Sequence, residues 1–542
     1  NGATIQLYTV GTAGNGSTST PLITSTTVKS DATGHFSITG DYSCSSATQV
    51  YIVATGGDAG SGPNSALSLM AALGPCANLI STPQFISINE LTTVAAVYAL
   101  SPFMADYQNI GATGSNPSGL VNAFNTAQFL VNTAAGAVST PPAGFTLPTV
   151  RINTLADILA TCVNSSGPTS TDCVALFNAT SATDTIGAGL SIAQNPADPA
   201  VTALFLAPHA GAPFQPVLGS VPNDFTLAVS YTGAELAGPF GVALDATGSA
   251  WVTNEAGASV VKLPALSSTF ATSSFSSGGL LAPRGISIDR GGNIWIANTG
   301  ANNVVEFSPG GNALSGSGFG SAVVNAPVAI ANDSAGNAWV ASLLGNSIAE
   351  FAANGTPSGA SPITASLSAP TSIALDSAGN IAVANSGNGS LCLFSSAAAL
   401  QSCPTDGSLF GATSIAISKT GSIALAGSTT GATLAGAFTL ATTAGAVSPA
   451  SPSSGGGLTL PRAVAFDSNG TAWFANATSI SAFSGATPDY SSNGLGSLNN
   501  PNGLAIDASG NIWTANTGDN SVSVFVGLAA PVVTPLAANV GP

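Results

Sequence analysis

The sequence predicts a mainly β protein: a seven-bladed β-propeller, with a six-bladed ring as the alternative, a small N-terminal β-sandwich and a short helical middle region. Three observations predict it. The second half of the chain repeats one pattern seven times, the first segment alternates apolar and polar residues, and only 6% of the 542 residues are charged. Scarce charge with abundant glycine favours sheets joined by tight turns over long helices with charged faces.

The charge balance excludes several classes of partner. The chain carries 23 acidic residues against seven basic ones, a net charge of −16. Nucleic-acid binding needs a basic patch that neutralises phosphates, so we expect no nucleic-acid partner. No run of about 20 apolar residues is present, so no membrane span is predicted. The chain begins with Asn1 and shows no signal peptide, and we expect a mature or trimmed form.

The six cysteines predict disulfides and no metal site. They lack the CxxC or Cys/His spacing that is typical of zinc ligands. An even count in close-set pairs favours disulfides formed outside the cytoplasm over free buried thiols, and therefore an extracellular or cell-surface location. The expected pairs are Cys44 with Cys76, Cys162 with Cys173, and Cys392 with Cys403.

Residues 1–81 predict three strands, in "ATIQLYTVG", "GHFSITGDYSC" and "TQVYIVATGG". Through "GATIQLYTVG", "DATGHFSITG" and "VYIVATGG" the segment resembles the transthyretin-like, or carboxypeptidase-regulatory-like, β-sandwich of secreted bacterial proteins. Sandwiches of this kind usually open with one more strand before the "GATIQLY" equivalent. The resemblance therefore implies that the first strand is missing here.

Residues 82–206 predict a helical region. "SINELTTVAAVYALSPFM" has helical spacing, with Ser87 or Asn89 as N-cap, and "NPSGLVNAFNTAQFLVNTAAG" predicts a second helix that ends at Gly136. Three shorter helices are expected in "RINTLADILATCVN", "STDCVALFNAT" and "PAVTALFLA". The Pro-rich residues 207–223 are interpreted as a linker.

Residues 224–529 contain the repeat "P-x-x-h-x-h-D-x-x-G-x-h-W-h-x-N". Its anchors recur with a mean spacing of about 44 residues, the length of one four-stranded propeller blade. The anchors are Asp245, Asp289, Asp333, Asp376, Ser418, Asp467 and Asp507. All five tryptophans share one repeat position, at Trp251, Trp295, Trp339, Trp473 and Trp513. Unit five lacks both the Asp and the Trp, so a ring of six blades remains the alternative. We expect "DFTLAVSYTG" (224–233) to close the ring as the outer strand of the last blade.

The repeat units resemble NHL-type repeats and the propeller of virginiamycin B lyase-like proteins. The resemblance rests on units such as "APRGISIDRGGNIWIAN" and "NPNGLAIDASGNIWTAN". It implies a lyase whose chemistry depends on a propeller histidine, acidic residues and a divalent metal. The two histidines, His35 and His209, both lie outside the repeats. We therefore predict a non-enzyme, without catalytic residue, metal or cofactor.

The repeated acidic residues predict turns. "D-x-x-G" between two strands is a turn signature, and a catalytic Asp is needed once per site, not once per blade. Better candidates for function are the variable residues that follow the unit-opening proline, near the mouth of the central channel. Arg284, Arg462 and Asn502 are candidate ligand-binding residues there; the alternative is that the arginines hydrate the channel or pair with nearby acids.

Two classes of function remain. The first is a secreted structural protein of the cell surface or extracellular matrix, which polymerises head to tail when residues 530–542 of one copy add a strand to the N-terminal sandwich of the next. The alternative is that this tail packs on its own propeller. The second class is a module that binds a surface glycan or protein. The tail residues expected to mediate assembly are Val532, Val533, Leu536 and Val540.

Overall fold

The structure is a computed structural model and describes residues 1–40, 42–81, 85–206, 212–406, 409, 411–427, 437–442, 454–490 and 494–539. It confirms the mainly β fold and the resemblance to a propeller. In this part of the chain, no helix combines the length and apolarity needed to cross a membrane. The three expected disulfides, Cys44–Cys76, Cys162–Cys173 and Cys392–Cys403, are all present.

The N-terminal segment forms one antiparallel sheet. Its strands are β1 (Thr4–Thr9), β2 (Thr20–Pro21), β3 (Val28–Lys29), β4 (Gln49–Thr55) and β5 (Ser68–Pro75). β1 pairs with β4 on one side and with the short β2 and β3 on the other, and β5 extends the sheet beyond β4. Tyr51 faces the helical region while Ile52 faces a small separate core, so β4 is buried on both sides. This double burial explains why its sequence does not alternate.

The sequence predicts a strand in "GHFSITGDYSC". The described residues of that stretch, 34–40 and 42–44, form no strand, so the prediction is wrong there. Phe36 and Ile38 pack against the small core while Ser37 and Thr39 are exposed, as the alternation predicts. The backbone of residues 36–39 nevertheless makes no hydrogen bond to another described residue. A strand needs a neighbouring strand to pair with, and the alternating pattern alone does not supply one. The second sheet of a sandwich stays a prediction.

The helical region contains α1 (Ala77–Ser81), α2 (Glu90–Leu100), α3 (Pro117–Leu130), α4 (Thr149–Val163), α5 (Thr171–Thr180), α6 (Thr185–Gln194) and α7 (Pro199–Ala203). Five short strands lie between the helices: β6 (Met104–Asp106), β7 (Asn109–Ile110), β8 (Val131–Asn132), β9 (Ala137–Val138) and β10 (Phe145–Thr146). The N-cap of α2 is Asn89, not Ser87: its Oδ1 accepts from Thr92 N, and Asn89 N donates to Thr92 Oγ1, each at 3.0 Å.

The helices α3 and α6 differ from expectation. α3 ends at Leu130 rather than Gly136, because the chain turns into the β8–β9 hairpin, where Gly136 adopts φ +62°. α6 was not predicted, since glycines at 187 and 189 weaken its helical signal. The structure explains Gly189: a Cβ there would lie 3.3 Å from Val97 Cγ2 of the central helix α2.

Residues 212–223, expected to be a linker, lie against α4. Phe214 N donates to Asp157 Oδ1 at 3.1 Å, and Leu218 N donates to Thr154 Oγ1 at 2.9 Å. The described part of this segment is therefore anchored to the helical region.

The described repeat region forms seven antiparallel sheets. The first four are β12 (Pro239–Leu244), β13 (Ala250–Asn254), β14 (Ser259–Leu263) and β15 (Ser273–Phe275); β16 (Pro283–Ile288), β17 (Ile294–Asn298) and β18 (Asn303–Phe307); β19 (Pro327–Asn332), β20 (Ala338–Ser342) and β21 (Ser347–Phe351); and β22 (Pro370–Leu375), β23 (Ile381–Asn385), β24 (Ser390–Phe394) and β25 (Leu400–Ser402).

The remaining three sheets are β26 (Ala412–Ile417), β27 (Ser422–Gly427) and β28 (Ala437–Thr442); β29 (Ala463–Phe466), β30 (Ala472–Ala475), β31 (Ile480–Ser484) and β32 (Thr487–Pro488); and β33 (Pro501–Ile506), β34 (Ile512–Asn516) and β35 (Ser521–Phe525), joined by β11 (Ala228–Tyr231). The inner strands of successive sheets are neighbours, and the last inner strand, β33, lies beside the first, β12. We interpret each sheet as one blade of a closed ring.

The closing strand comes from the expected segment. β11 pairs with β35 over four residues, from Ala228 opposite Phe525 to Tyr231 opposite Val522. β10 of the helical region then adds a fifth strand to this last sheet. The helical region also covers the turn at the end of β33: Asn116 Nδ2 donates to Ala508 O at 2.7 Å, and Ser509 Oγ donates to the carbonyl of Gly119 at 2.9 Å.

Candidate functional site

The repeated aspartates hold their turns and also bind the repeated tryptophans. Asp507 Oδ1 accepts from the backbone N–H groups of Ser509 and Asn511, while its Oδ2 accepts from Asn511 Nδ2 and from Trp513 Nε1, each at 2.8–2.9 Å. The indole bond recurs at 3.1 to 3.2 Å in three further sheets, in Asp245–Trp251, Asp289–Trp295 and Asp467–Trp473. Asp507 is 3% exposed, and burial raises its pKa. These acids satisfy backbone and indole donors and present no free carboxylate.

The asparagines that end the second strands are structural too. Asn298 Nδ2 donates to Gly279 O at 2.9 Å, and its Oδ1 accepts from Leu281 N at 2.6 Å. Asn516 Nδ2 donates to the hydroxyls of Ser521 and Ser523 on the third strand, both at 2.9 Å. They join the second strand to the third strand and to the loop that precedes the sheet, which is a wider role than the local turn expected from sequence.

The residues that follow the unit-opening prolines converge on one cavity. In five sheets the strand register shifts just after the proline with which the inner strand begins, as after Pro239 and Pro501. A shift of register redirects the side chain beside it. The cavity has a volume of about 550 Å³. Its lining includes the variable residue of all seven sheets: Phe240, Arg284, Val328, Thr371, Thr413, Arg462 and Asn502.

The two arginines of this mouth have different partners. Arg284 makes an ion pair with Glu255, with Nη2 2.7 Å from Oε1, and its guanidinium lies 5.2 Å from the Phe240 ring centroid. Arg462 Nη1 donates to the amide oxygen of Asn502 at 3.3 Å. No carboxylate in the described part of the chain lies within ion-pair distance of Arg462. The alternative of pairing with acids thus fits Arg284, whereas Arg462 has no ion-pair partner among the described residues.

Threonine hydroxyls connect neighbouring sheets around the mouth. Each donates from one sheet to a backbone carbonyl of the next, at distances of 2.6–3.0 Å: Thr253 to Arg284, Thr299 to Pro327, Thr371 to Ala412, Thr413 to Arg462, and Thr517 to Pro239. The last of these joins the seventh sheet to the first. Thr517 also accepts from Asn502 Nδ2 at 2.6 Å, so ring closure is bonded directly to a residue of the mouth.

Exposed leucines, which were not predicted from the sequence as functional residues, lie at the same end of the ring. Leu281 and Leu460 stand just before inner strands, and Leu344 follows β20; they are 53%, 50% and 67% exposed. Leu460 lines the cavity itself. The available signal was a leucine close to the unit-opening proline, in "LLAP" and "LTLP", where the other units that open with a proline have small or polar residues. The mouth thus combines a cationic centre with an apolar rim.

The described part of the tail lies at the other end of the ring, on its own propeller. Val532 N donates to Asp507 O at 3.0 Å, and the buried Thr534 donates through Oγ1 to Asp245 O at 2.7 Å. Val532 packs on the apolar core of the last two sheets, whereas Val533 and Leu536 are 38% and 61% exposed. Val540, the fourth assembly candidate, lies outside the described residues.

No histidine belongs to the described lining of the propeller mouth. His35 is exposed in the N-terminal segment, where its Nδ1 lies 2.8 Å from Thr33 Oγ1, and His209 is outside the described residues. Within the described ranges, no three His, Cys, Asp or Glu side chains are grouped so that they could hold a metal ion.

Comparison with known proteins identifies the repeat. The NHL repeat family matches residues 498–525, which span the inner strand and both following strands of the seventh sheet. Residues 498–525 are thus similar to an NHL repeat. The resemblance of the repeat units to the NHL type is confirmed for this unit, and the N-terminal resemblance stays a prediction. A search of the curated proteins found no match.

Several solved structures are similar to the chain at low identity. A streptogramin B lyase is 18% identical over 55% of this chain and 96% of its own, with a TM-score of 0.44. The virginiamycin B lyase of Staphylococcus aureus is 15% identical over 55% and 98%, with a TM-score of 0.45. The hydrazine synthase of Kuenenia stuttgartiensis is 13% identical over 58% and 99%, with a TM-score of 0.43. Similarity at this level carries no argument about activity.

Proposed function

We propose that the protein is a non-catalytic extracellular binding module whose propeller mouth receives a carboxylate-bearing surface ligand, a glycan or a protein. The observation that carries the proposal is Arg462, whose guanidinium lines the cavity with an amide partner and no described carboxylate partner. Guanidinium groups bind carboxylates through paired, charge-assisted hydrogen bonds. In a chain of net charge −16, an uncompensated arginine inside a cavity is a specific attraction for an anion.

The surroundings of Arg462 favour recognition over catalysis. The described polar side chains of the cavity are hydroxyls, an amide and the already paired Arg284, and none of them is a general base poised near neutral pH. The exposed Leu281, Leu344 and Leu460 supply apolar contact area around the charged centre. A ligand with a carboxylate beside an apolar face would use both. Three disulfides support the extracellular location.

Isothermal titration with tetragalacturonate, and with citrate as a compact carboxylate, tests the proposal. Arg462→Ala is expected to weaken binding by about ten- to a hundredfold, the range for loss of a charge-assisted hydrogen bond. Arg290→Ala is the matched control, because Arg290 is exposed next to Asp289, at the other end of an inner strand. Equal weakening by both variants would indicate unspecific attraction. Absence of binding to either probe would refute the carboxylate site.

A structural, polymerising protein is the second candidate. It is favoured by the unpaired backbone of residues 36–39, which lies against an apolar core and could accept a strand from another copy. In the described structure the tail is bound to its own propeller, so donation of the tail to another copy would require its release. Electron microscopy of the full chain and of a deletion of residues 530–542 tests it. Fibres that depend on the tail support polymerisation, and single particles in both samples, or fibres without the tail, contradict it.

A further inference from the structure

A second cavity lies where the three parts of the chain meet, far in sequence from the propeller mouth. Its volume is about 710 Å³, within the usual range for ligand sites of about 300–1,000 Å³. The N-terminal segment contributes Leu73 and Asn78 to the lining, and the loop after β14 contributes Ser268. The helical region contributes several residues between positions 128 and 142. Ligand sites commonly form at such junctions between structural units.

The chemistry of the lining is polar and uncharged. Amide and hydroxyl side chains make up half of the described lining, and no Asp, Glu, Lys, Arg or His belongs to it: the polar members are Asn78, Gln128, Asn132, Thr133, Ser139, Thr140 and Ser268. Amides and hydroxyls both donate and accept hydrogen bonds. An ionic ligand would find no opposite charge here, whereas a ligand covered with hydroxyl groups would find donors and acceptors together.

Several of these polar groups have unused hydrogen-bonding capacity. Asn132 Oδ1 accepts from the backbone N–H groups of Ala134 and Ala135 at 2.9 and 3.0 Å, and its Nδ2 has no partner among the described residues. The hydroxyls of Thr133, Thr140 and Ser268 likewise make no hydrogen bond within the described ranges. They are therefore available to a ligand without loss of an internal bond.

Aromatic side chains complete the cavity. Phe129 is buried, and its ring packs edge-on against Phe145 with centroids 5.2 Å apart, which fixes the inner wall. Phe85 stands in the lining with 89% of its surface exposed. A single exposed phenylalanine is unremarkable by itself. An exposed ring beside a cluster of free amides and hydroxyls is the combination that stacks against the C–H face of a sugar while its hydroxyls are bound.

The wall that carries most of these groups is held rigidly. Asn89, the N-cap of α2, donates through Nδ2 to Gly136 O in the β8–β9 hairpin at 2.8 Å, and Ser87 N donates to Thr133 O at 2.8 Å. Pro141 and Pro142 restrict the backbone that follows the hairpin. A preformed wall lowers the entropic cost of binding.

We propose that this cavity binds an uncharged carbohydrate, with Phe85 as the stacking platform and Asn132, Thr133 and Thr140 as hydrogen-bonding groups. The inference is independent of the carboxylate site proposed at the propeller mouth. A neutral peptide is the competing occupant, and it would use the same amides without requiring the exposed ring.

The test uses the full chain, with cellotetraose and maltotetraose as probes and tetra-alanine as the peptide comparison. Saturation-transfer NMR detects binding, and isothermal titration measures affinity. We expect one tetrasaccharide to bind, Phe85→Ala to weaken it by about tenfold or more, and Thr140→Val to weaken it by about threefold or more. Both side chains are exposed, so neither variant should disturb folding. Leu314→Ala, which removes another exposed apolar side chain, should leave binding unchanged.

Each other outcome overturns the inference. Binding that survives Phe85→Ala and Thr140→Val but is lost in Arg462→Ala places the sugar at the propeller mouth. Binding of tetra-alanine in preference to both sugars assigns the cavity to peptides. No saturation transfer to either tetrasaccharide at millimolar concentration refutes a carbohydrate site.

Discussion

Glu306 is the residue whose protonation should control the pH dependence of propeller stability. It lies on β18 opposite Trp295 of β17, and its side chain is 3% exposed. Burial, reinforced by the nearby carboxylate of Asp289 and opposed by a hydrogen bond with Asn293, raises its pKa from 4.5 to about 7. The folded propeller thus prefers the protonated acid.

The magnitude follows from the difference between the folded and unfolded pKa values. Below pH 4.5 Glu306 is protonated in both the folded and the unfolded state, so its ionisation does not lower the free energy of unfolding. Between pH 4.5 and 7 the unfolded state is ionised while the folded state holds its proton, so stability falls by up to about 1.4 kcal/mol per pH unit. Above pH 7 the cost is constant at about 3 kcal/mol. Glu306→Gln, which cannot ionise, should remove it.

Urea unfolding followed by tryptophan fluorescence measures this cost, because all five tryptophans lie in the repeat region. Glu306→Gln should match the parent protein at pH 4 and exceed it by about 3 kcal/mol at pH 8.5. Glu350→Gln is the matched control: Glu350 faces Trp339 at the same register position but is half-buried, in contact with water, and its replacement should have little effect. A Glu306→Gln advantage that is the same at both pH values would refute the reasoning.

Three further predictions concern the turns and the closure of the ring, each measured by the same unfolding assay. Asp507→Ala should destabilise by about 3 kcal/mol or more, because buried backbone and indole donors lose their acceptor; Asp376→Ala, at a half-buried turn, should cost less. Thr534→Val should cost about 1 kcal/mol through its bond to Asp245 O, and an unchanged stability would show that the tail does not hold the ring. Thr517→Val should cost a similar amount and also weaken ligand binding at the mouth; intact binding would contradict this coupling.

The repeat made most of the propeller predictable. Spacing and residue type recur in most units, so one turn interpreted correctly, such as that at Asp507, applies to its relatives. The indole bond of Trp513 was not predicted, although Asp and Trp keep a constant separation of six residues in five of the units. That separation spans a turn and brings the two side chains together, which is a signal the sequence did contain.

The burial of Asp507 could not be predicted from its unit. It depends on the helical region, where the amide of Asn116 donates to the carbonyl of the neighbouring Ala508, 392 residues later in the chain. The same limit applies to the segment at Phe36: alternation identified its inward-facing side chains, but pairing depends on which strand lies beside it. Contacts between distant parts of a chain leave no periodic pattern, and for this reason the cavity beside Phe85 was also missed.

The ends of the repeat region show why closure and binding are linked. The seventh sheet is built from both ends of the repeat region, because β11 precedes the first sheet in the chain and pairs with β35 at the end of the last, so closure depends on non-covalent contacts. These contacts include the pairing of β11 with β35, the bond from Thr517 to Pro239 O, and the bond from Thr534 to Asp245 O. Thr517 also binds Asn502, and Asn502 binds Arg462. Because the last bonds of the ring continue into the mouth, loosening the closure should displace the arginine on which the proposed carboxylate site depends.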